Sequence, residues 1–242
     1  MIWVLRICFK LQALALGLVA VAAAATVSGR VELVSSHDAK VRKHTDYSGV
    51  VVWLESASGT PVIPTSAGRA QMAQKNKTFT PHILAISVGT VVDFPNFDPI
   101  FHNAFSNYNG QVFDIGLYPP GTTRSLAFRR EGVVRVFCNI HSAMSAVIVV
   151  LKSPYFATSA KDGTFQIANV PAGSYRMNLF HERAAEQTLR ALTRSIDAGE
   201  GPLELAPIEV SESGYLELPH KNKFGKDYPP VSDSGGYMGT KP

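Results

Sequence analysis

Cys138, His141 and Met144 fall at three-residue intervals in the run Val136-Phe137-Cys138-Asn139-Ile140-His141-Ser142-Ala143-Met144. One short segment thus offers a thiolate, an imidazole and a thioether, the soft and borderline donors that copper prefers. The other cysteine of the chain, Cys8, lies in an N-terminal stretch with the pattern of a secretion leader. With that leader removed, Cys138 has no thiol to pair with. Proteins sent to an oxidising compartment usually pair their cysteines or lack them, so a solitary thiol calls for a reason.

A mononuclear centre of the blue-copper type takes two imidazoles and a thiolate near one plane, with a weak axial thioether. The loop supplies three of these four donors, and the second imidazole must come from elsewhere. His102 is the best candidate, in Phe94-Pro95-Asn96-Phe97-Asp98-Pro99-Ile100-Phe101-His102-Asn103. It is expected to follow a strand, aromatic neighbours would exclude water, and Asn103 is placed to brace the ligand loop by hydrogen bonds. His82, in Thr80-Pro81-His82, is the rival; it opens an apolar strand and reads as a satisfied core or edge histidine. His37, His44, His181 and His220 have no partner motif and are expected to be exposed. Asp93, Asp98 and Asp114 read as turn residues, with nothing to pair them as catalytic acids. The alternative to a metal loop is a chance C-x2-H-x2-M with Cys138 and Met144 simply buried. Export, the solitary thiol, strands on both sides and the upstream His-Asn pair weigh against it.

The leader reading rests on three features in order. Arg6 and Lys10 precede any acidic residue, Leu11 to Val21 is apolar apart from Gln12 and Gly17, and Ala22 to Ala25 offers small residues for cleavage before Thr26. The apolar run is short for a membrane span, so residues 1–25 are expected to be removed and the remainder exported, most readily to a bacterial periplasm. The formal charge of +4 and pI near 9.1 owe two basic residues to that leader. What remains is close to neutral at its side chains, which argues against a nucleic-acid partner. Lys40-Val41-Arg42-Lys43-His44 and Arg129-Arg130 read as solvated loop charge. Asn76-Lys77-Thr78 is a glycosylation sequon whose use depends on the host.

The elements that must position these donors are strands. Val27 to Leu33 alternates at period two, and Gly49 to Leu54 is a compact β-branched run. Glu55 to Lys77, with Pro61, Pro64 and Gly68, reads as a long connection. Strand signals then crowd together at Phe79–Val88, Val91–Phe94, Thr123–Phe128, Val133–Phe137 and Ala146–Leu151, with Gly, Pro or Asn between them. The metal loop lies between the last two. A second unit is expected after Lys152-Ser153-Pro154, with a turn at Asp162-Gly163, a strand from Tyr175 to Phe180 and further alternation from Leu203 to Leu218. Ala184–Leu192 fits a helix or a strand equally. From His220 onward the composition predicts an extended or flexible tail, placed at residues 219–242. The fold class is therefore all-β: a Greek-key barrel or sandwich followed by a smaller β-sandwich.

Phe79 to Leu151, through Val92-Asp93-Phe94-Pro95-Asn96, His102-Asn103 and Cys138-x2-His141-x2-Met144, resembles the cupredoxins, and its short ligand loop is similar to that of amicyanin-type plastocyanins. The resemblance implies one copper ion held by His102, Cys138, His141 and Met144, with Asn103 supporting the ligands from behind. It places the copper unit at 26–152, with 26–77 as an atypical N-terminal extension. Residues 153–218, through Asp162-Gly163-x-Phe165 and Val170-Pro171-x-Gly173-x-Tyr175, resemble the carboxypeptidase-regulatory or transthyretin-like sandwich. The whole is similar to exported plastocyanin-like proteins labelled methylamine-utilisation proteins.

The resemblance implies single-electron transfer to a transient redox partner, by Cu(I)/Cu(II) cycling, with no catalysis of its own. Ile140, Ala143 and Phe101 are expected to form a small docking patch beside His141. Two other functions use the same residues differently. A copper store or chaperone would exchange the metal instead of electrons, and an adhesion or carbohydrate-binding module would leave the copper residues incidental.

Overall fold

The computed structural model describes residues 24–59, 68–107, 110–216 and 220–229. Most of the expected leader lies outside them, but Ala24 and Ala25 open the first strand, Ala24–Val34, pairing with Pro171 and Val170. The described chain is all-β apart from two short helices, Ala39–His44 and Glu186–Leu192. No helix among the described residues is long and apolar enough to cross a membrane.

Four of the five sheets among the described residues stack in order, with an apolar seam in each gap; the fifth is the antiparallel pair Ala73–Lys75 and Thr78–Thr80. The first outer sheet runs Thr164–Pro171, Ala24–Val34, then Pro202–Glu204 and Ile208–Ser211, both parallel to Ala24–Val34. The next runs Phe156–Thr158, Val51–Ser56, Gly173–Phe180, Arg194–Ala198. Ala25, Val27, Val31, Leu33, Val52, Leu54, Ile167 and Met177 fill the seam between these two. The third sheet runs Ile83–Ser87, Ser145–Leu151, Gly132–Phe137, His102–Ser106, Phe113–Tyr118, and the fourth Thr123–Ala127, Val91–Pro95, Arg69–Gln71. Phe94, Phe128, Val134, Val136, Cys138 and Met144 belong to their shared core.

Ser145–Leu151 shows why the stack holds together. Side chains alternate across a strand, so Ala146, Ile148 and Val150 enter the core shared with the fourth sheet while Val147, Val149 and Leu151 face the other way. That second face meets Val51, with Trp53, Phe156 and Phe180 packed around it. A strand buried on both faces reads as a continuous apolar run, as Ala146 to Leu151 does.

Three expectations give way here. The division into 26–152 and 153–218 differs from the strand pairing: Ala24–Val34 and Val51–Ser56 complete the sandwich built by residues 156–211. The other sandwich, Arg69 to Leu151, is inserted between them. The crossing at Ser153 is tied back, because the Ser153 hydroxyl donates to the Leu54 carbonyl and the Leu54 amide donates to Tyr155 at 2.9 Å. The expected connection Glu55–Lys77 also contains strands, Arg69–Gln71 and Ala73–Lys75. Pro81 splits the expected Phe79–Val88 strand into Thr78–Thr80 and Ile83–Ser87. The Asp162-Gly163 turn forms as expected. Gly163 sits at φ +84, and a Cβ there would lie 2.1 Å from the Val31 carbonyl oxygen, so the turn needs glycine.

Candidate metal centre

Gly132–Phe137 ends where its pairing with Ser145–Leu151 ends, at Phe137 opposite Ser145. The seven residues Cys138 to Met144 then turn back on themselves. The Cys138 amide donates to the Met144 carbonyl and the Met144 amide to the His141 carbonyl, each at 3.1 Å. Cys138 and Met144 are fully buried in the core, while His141 is half-buried with Ser142 and Ala143 exposed beside it.

His102 opens the strand His102–Ser106, all of which is buried. It follows the strand Val91–Pro95, as expected, and also opens a strand of its own, which is hidden in the sequence because His-Asn-Ala-Phe-Ser has no apolar alternation. The pairing with Phe113–Tyr118 shifts register between Asn103 and Phe105, and an irregularity of this kind re-aims side chains beside functional sites.

The structure brings His102, Cys138 and His141 together, with their ligand atoms within 4.8 Å of one another. Nδ1 of His102 lies 3.8 Å from Cys138 Sγ, and Nδ1 of His141 lies 3.5 Å from it. The two rings are 4.9 Å apart at their centroids. His82 is not among them: its ring bonds the Ser145 carbonyl at 3.1 Å and the Glu182 carboxylate at 2.8 Å.

Asp98 and Asp114 are more than the turn residues their sequence positions imply. Asp98 Oδ2 accepts from His102 Nε2 at 2.7 Å, and the same carboxylate accepts the amides of Asn76 at 2.6 Å and Lys77 at 2.8 Å. Burial pushes the Asp98 carboxyl up, but the Lys77, His102 and Asn76 donors outweigh it and hold the group below its ordinary range. With Nε2 held by an ionised carboxylate, Nδ1 is the ring nitrogen that faces Cys138: it bonds the sulfur here and would turn its lone pair to a metal. Only the spacing to His102 hints at this role in sequence, and a carboxylate four residues before a histidine is common.

Asn103 lies behind the loop, where its type predicts. Its Oδ1 accepts the Asn139 amide at 3.3 Å, and its Nδ2 donates to Asp114 Oδ1 at 2.7 Å and the Gly116 carbonyl at 3.0 Å. Burial pushes the Cys138 thiol up, yet hydrogen bonds from His102 and His141 pull harder and bring it down to about 6. A thiol so placed is largely thiolate at neutral pH, the form that ligates metal.

The other expectations divide. Of the expected docking residues, Phe101 is 46% exposed and Ala143 is exposed, whereas Ile140 is half-buried against the core; Phe97, 60% exposed, lies nearby in sequence. His37 and His44 are exposed, but His181 is buried against Glu212 at 2.7 Å. The expected flexible tail is also corrected: residues 220–229 pack on the metal loop. His220 stacks on Phe137 at 4.0 Å, and the Tyr228 hydroxyl donates to the Cys138 carbonyl at 2.8 Å. Residues 217–219 and 230–242 lie outside the described residues.

The donor set fits copper. One thiolate and two imidazoles converge, the deeper imidazole has its far nitrogen fixed, and a thioether from the same loop is buried in the same core.

No protein-family model and no curated protein matches the chain. Among solved structures, the chain is similar to a purple cupredoxin from Nitrosopumilus maritimus, at 29% identity over 34% of this chain and 99% of that one, TM-score 0.31. It is similar to the amicyanin of Paracoccus versutus at 18% identity, over 40% of this chain and 97% of that one, TM-score 0.32. It is also similar to a copper-containing nitrite reductase from Thermus scotoductus SA-01 at 24% identity, over 39% of this chain and 26% of that one, TM-score 0.33.

Proposed function

We propose that this chain is an exported type 1 copper protein of the cupredoxin kind, carrying single electrons between redox partners. His102, Cys138, His141 and Met144 would hold one copper ion. The observation that carries this reading is the convergence of two Nδ1 atoms on the Cys138 sulfur inside the core. When bound, the copper supplies one-electron chemistry by cycling between Cu(I) and Cu(II).

The residues of the chain do the rest. Cys138, drawn down to about 6, is ready as thiolate without a base to deprotonate it. Asp98 keeps the His102 ring in one tautomer and one orientation. The flanking strands and the two backbone bonds across the loop hold the donors in place, so they need little rearrangement as charge changes. His141 is the imidazole that reaches solvent, and it is the natural port for electrons. The apolar surface of Phe97, Phe101 and Ala143 suits a small, transient contact with a redox protein.

The leader pattern at residues 1–25 supports a periplasmic location. The sandwich formed by residues 24–56 and 156–211 is proposed to be of the transthyretin or carboxypeptidase-regulatory type, on the strength of its Asp162-Gly163 and Pro171-x-Gly173-x-Tyr175 turns. Absorption and paramagnetic resonance of copper-reconstituted protein test the central reading. An intense blue thiolate-to-copper band and reversible one-electron titration are expected. Tight copper(I) in a protein that stays colourless on oxidation would replace electron transfer with storage.

A further inference from the structure

We infer that residues 220–228 form a strap that positions and seals the Cys138 loop, and that Lys223 and Tyr228 are its working contacts. The sequence gives this segment the composition of a loose tail, but the structure gives it internal order. Asn222 Oδ1 accepts the amides of Phe224 at 2.9 Å and Lys226 at 3.1 Å, and the Asn222 amide donates to the Lys226 carbonyl at 2.9 Å. Gly225 makes the reversal at φ +73, and Lys221 pairs with Asp227. The result is a small turn with its own hydrogen bonds, which lowers the entropy lost when it docks.

The docked turn touches the ligand loop at successive residues. The His220 ring covers Phe137, the Tyr228 hydroxyl reaches the Cys138 carbonyl, and the Lys223 amide donates to Asn139 Oδ1 at 3.0 Å. His220 and Tyr228 also meet edge to face at 5.2 Å, with the hydroxyl 3.3 Å from His220 Nδ1. Lys223 Nζ reaches Asp114 Oδ2 at 2.7 Å. Asp114 Oδ1 holds Asn103, and Asn103 holds the Asn139 amide. Lys223, Asp114, Asn103 and Asn139 therefore close a ring of hydrogen bonds around the two segments that carry His102 and Cys138. The strap follows the strand Ile208–Ser211 of the other sandwich, so the metal loop is braced by a part of the chain outside its own sandwich.

Such a strap keeps water from the thiolate side of the site and puts one cation near it. Both effects disfavour the more highly charged oxidised state, so losing the strap contacts should lower the reduction potential. That readout rests on the copper reading proposed above, and a second readout does not. The test uses full-length Tyr228→Phe, Lys223→Met and the double variant, with Lys223→Arg as the conservative control. In metal-free protein, the rate of Cys138 labelling by a thiol reagent should rise at least about ten-fold in the double variant, as expected when a buried group gains access by local opening. In copper-loaded protein, the two single variants should each lower the potential and the double variant should lower it further, while Lys223→Arg stays close to the parent. Unchanged labelling in the folded double variant overturns the strap, whether or not the protein takes up copper. A blue parent whose double variant keeps the same potential overturns it equally and leaves the copper reading standing.

Discussion

Asp98 Oδ2 lies 2.7 Å from His102 Nε2, so the other ring nitrogen of His102 is the one turned toward Cys138. Asp98 and His102 share one turn far in sequence from the ligand loop, and the 3.8 Å approach of His102 Nδ1 to Cys138 Sγ makes the two segments parts of one site. Carboxylates behind metal-binding histidines typically contribute 10–100-fold to metal affinity. Asp98→Asn should therefore weaken copper binding by about 10–100-fold, measured by competition with a chelator. His82→Ala, whose ring faces Glu182 instead, should leave affinity and spectrum unchanged.

The ligands themselves separate by their softness. Cys138→Ser should abolish the blue band, because a hydroxyl is a poor replacement for thiolate. Met144→Leu removes only a weak donor and should keep the band while raising the potential. Absorption spectra and a redox titration of each variant check this. A blue Cys138→Ser protein would remove the basis of the electron-transfer reading.

Glu212 anchors the other sandwich through buried His181 at 2.7 Å and Arg183 at 2.9 Å. Burial pushes its carboxyl up, but His181, Arg183 and Ser36 outweigh that and hold it at about 2. A depressed carboxyl contributes stability that is fully present above its unfolded value, near 4.5, and is lost as the pH falls through about 2. Glu212→Gln should cost about 3–5 kcal/mol at neutral pH, the usual penalty for breaking a buried ion pair. The gap from the parent should narrow steadily below pH 4.5 in denaturant titrations.

Val149 is 2% exposed, in the seam where the two sandwiches meet. Val149→Ala should lower stability by about 1–3 kcal/mol through lost burial and the small cavity left behind. Its side chain points away from the metal core, so the copper spectrum should not change. Denaturant unfolding followed by both fluorescence and the blue band checks both halves of this statement.

The parts of the site that share one stretch of chain were legible in the sequence. Cys138, His141 and Met144 are readable because a single loop carries them, and His102 because Asn103 and the aromatics flank it. Asp114 and the 220–228 strap were not, since their roles exist only where distant segments meet, and Asp98 was not, since a carboxylate four residues before a histidine is common. The strand pairing was hidden for a related reason. Val27 to Leu33 alternates in the same way whether its partner is Thr164–Pro171 or a strand of the copper sandwich, and nothing local marks the choice. His102–Ser106 escaped because its polar residues are buried to hold the site, against the pattern that reveals ordinary strands.

The interleaved pairing has a consequence for how the chain comes into being. Val50 meets the hydroxyl of Ser159, 109 positions later, whereas every strand of the copper sandwich lies between Arg69 and Leu151. Contacts that span long stretches form slowly, because the intervening chain must be gathered first. The guest can therefore finish while its host is still half made, with Ala24–Val34 and Val51–Ser56 waiting as open edges that invite mispairing. Entry and exit of the guest are neighbours, since Trp53 and Phe156 are Cα partners across adjacent strands. Once folded, the guest holds those two strands together like a clasp, shortening the search that remains for the host.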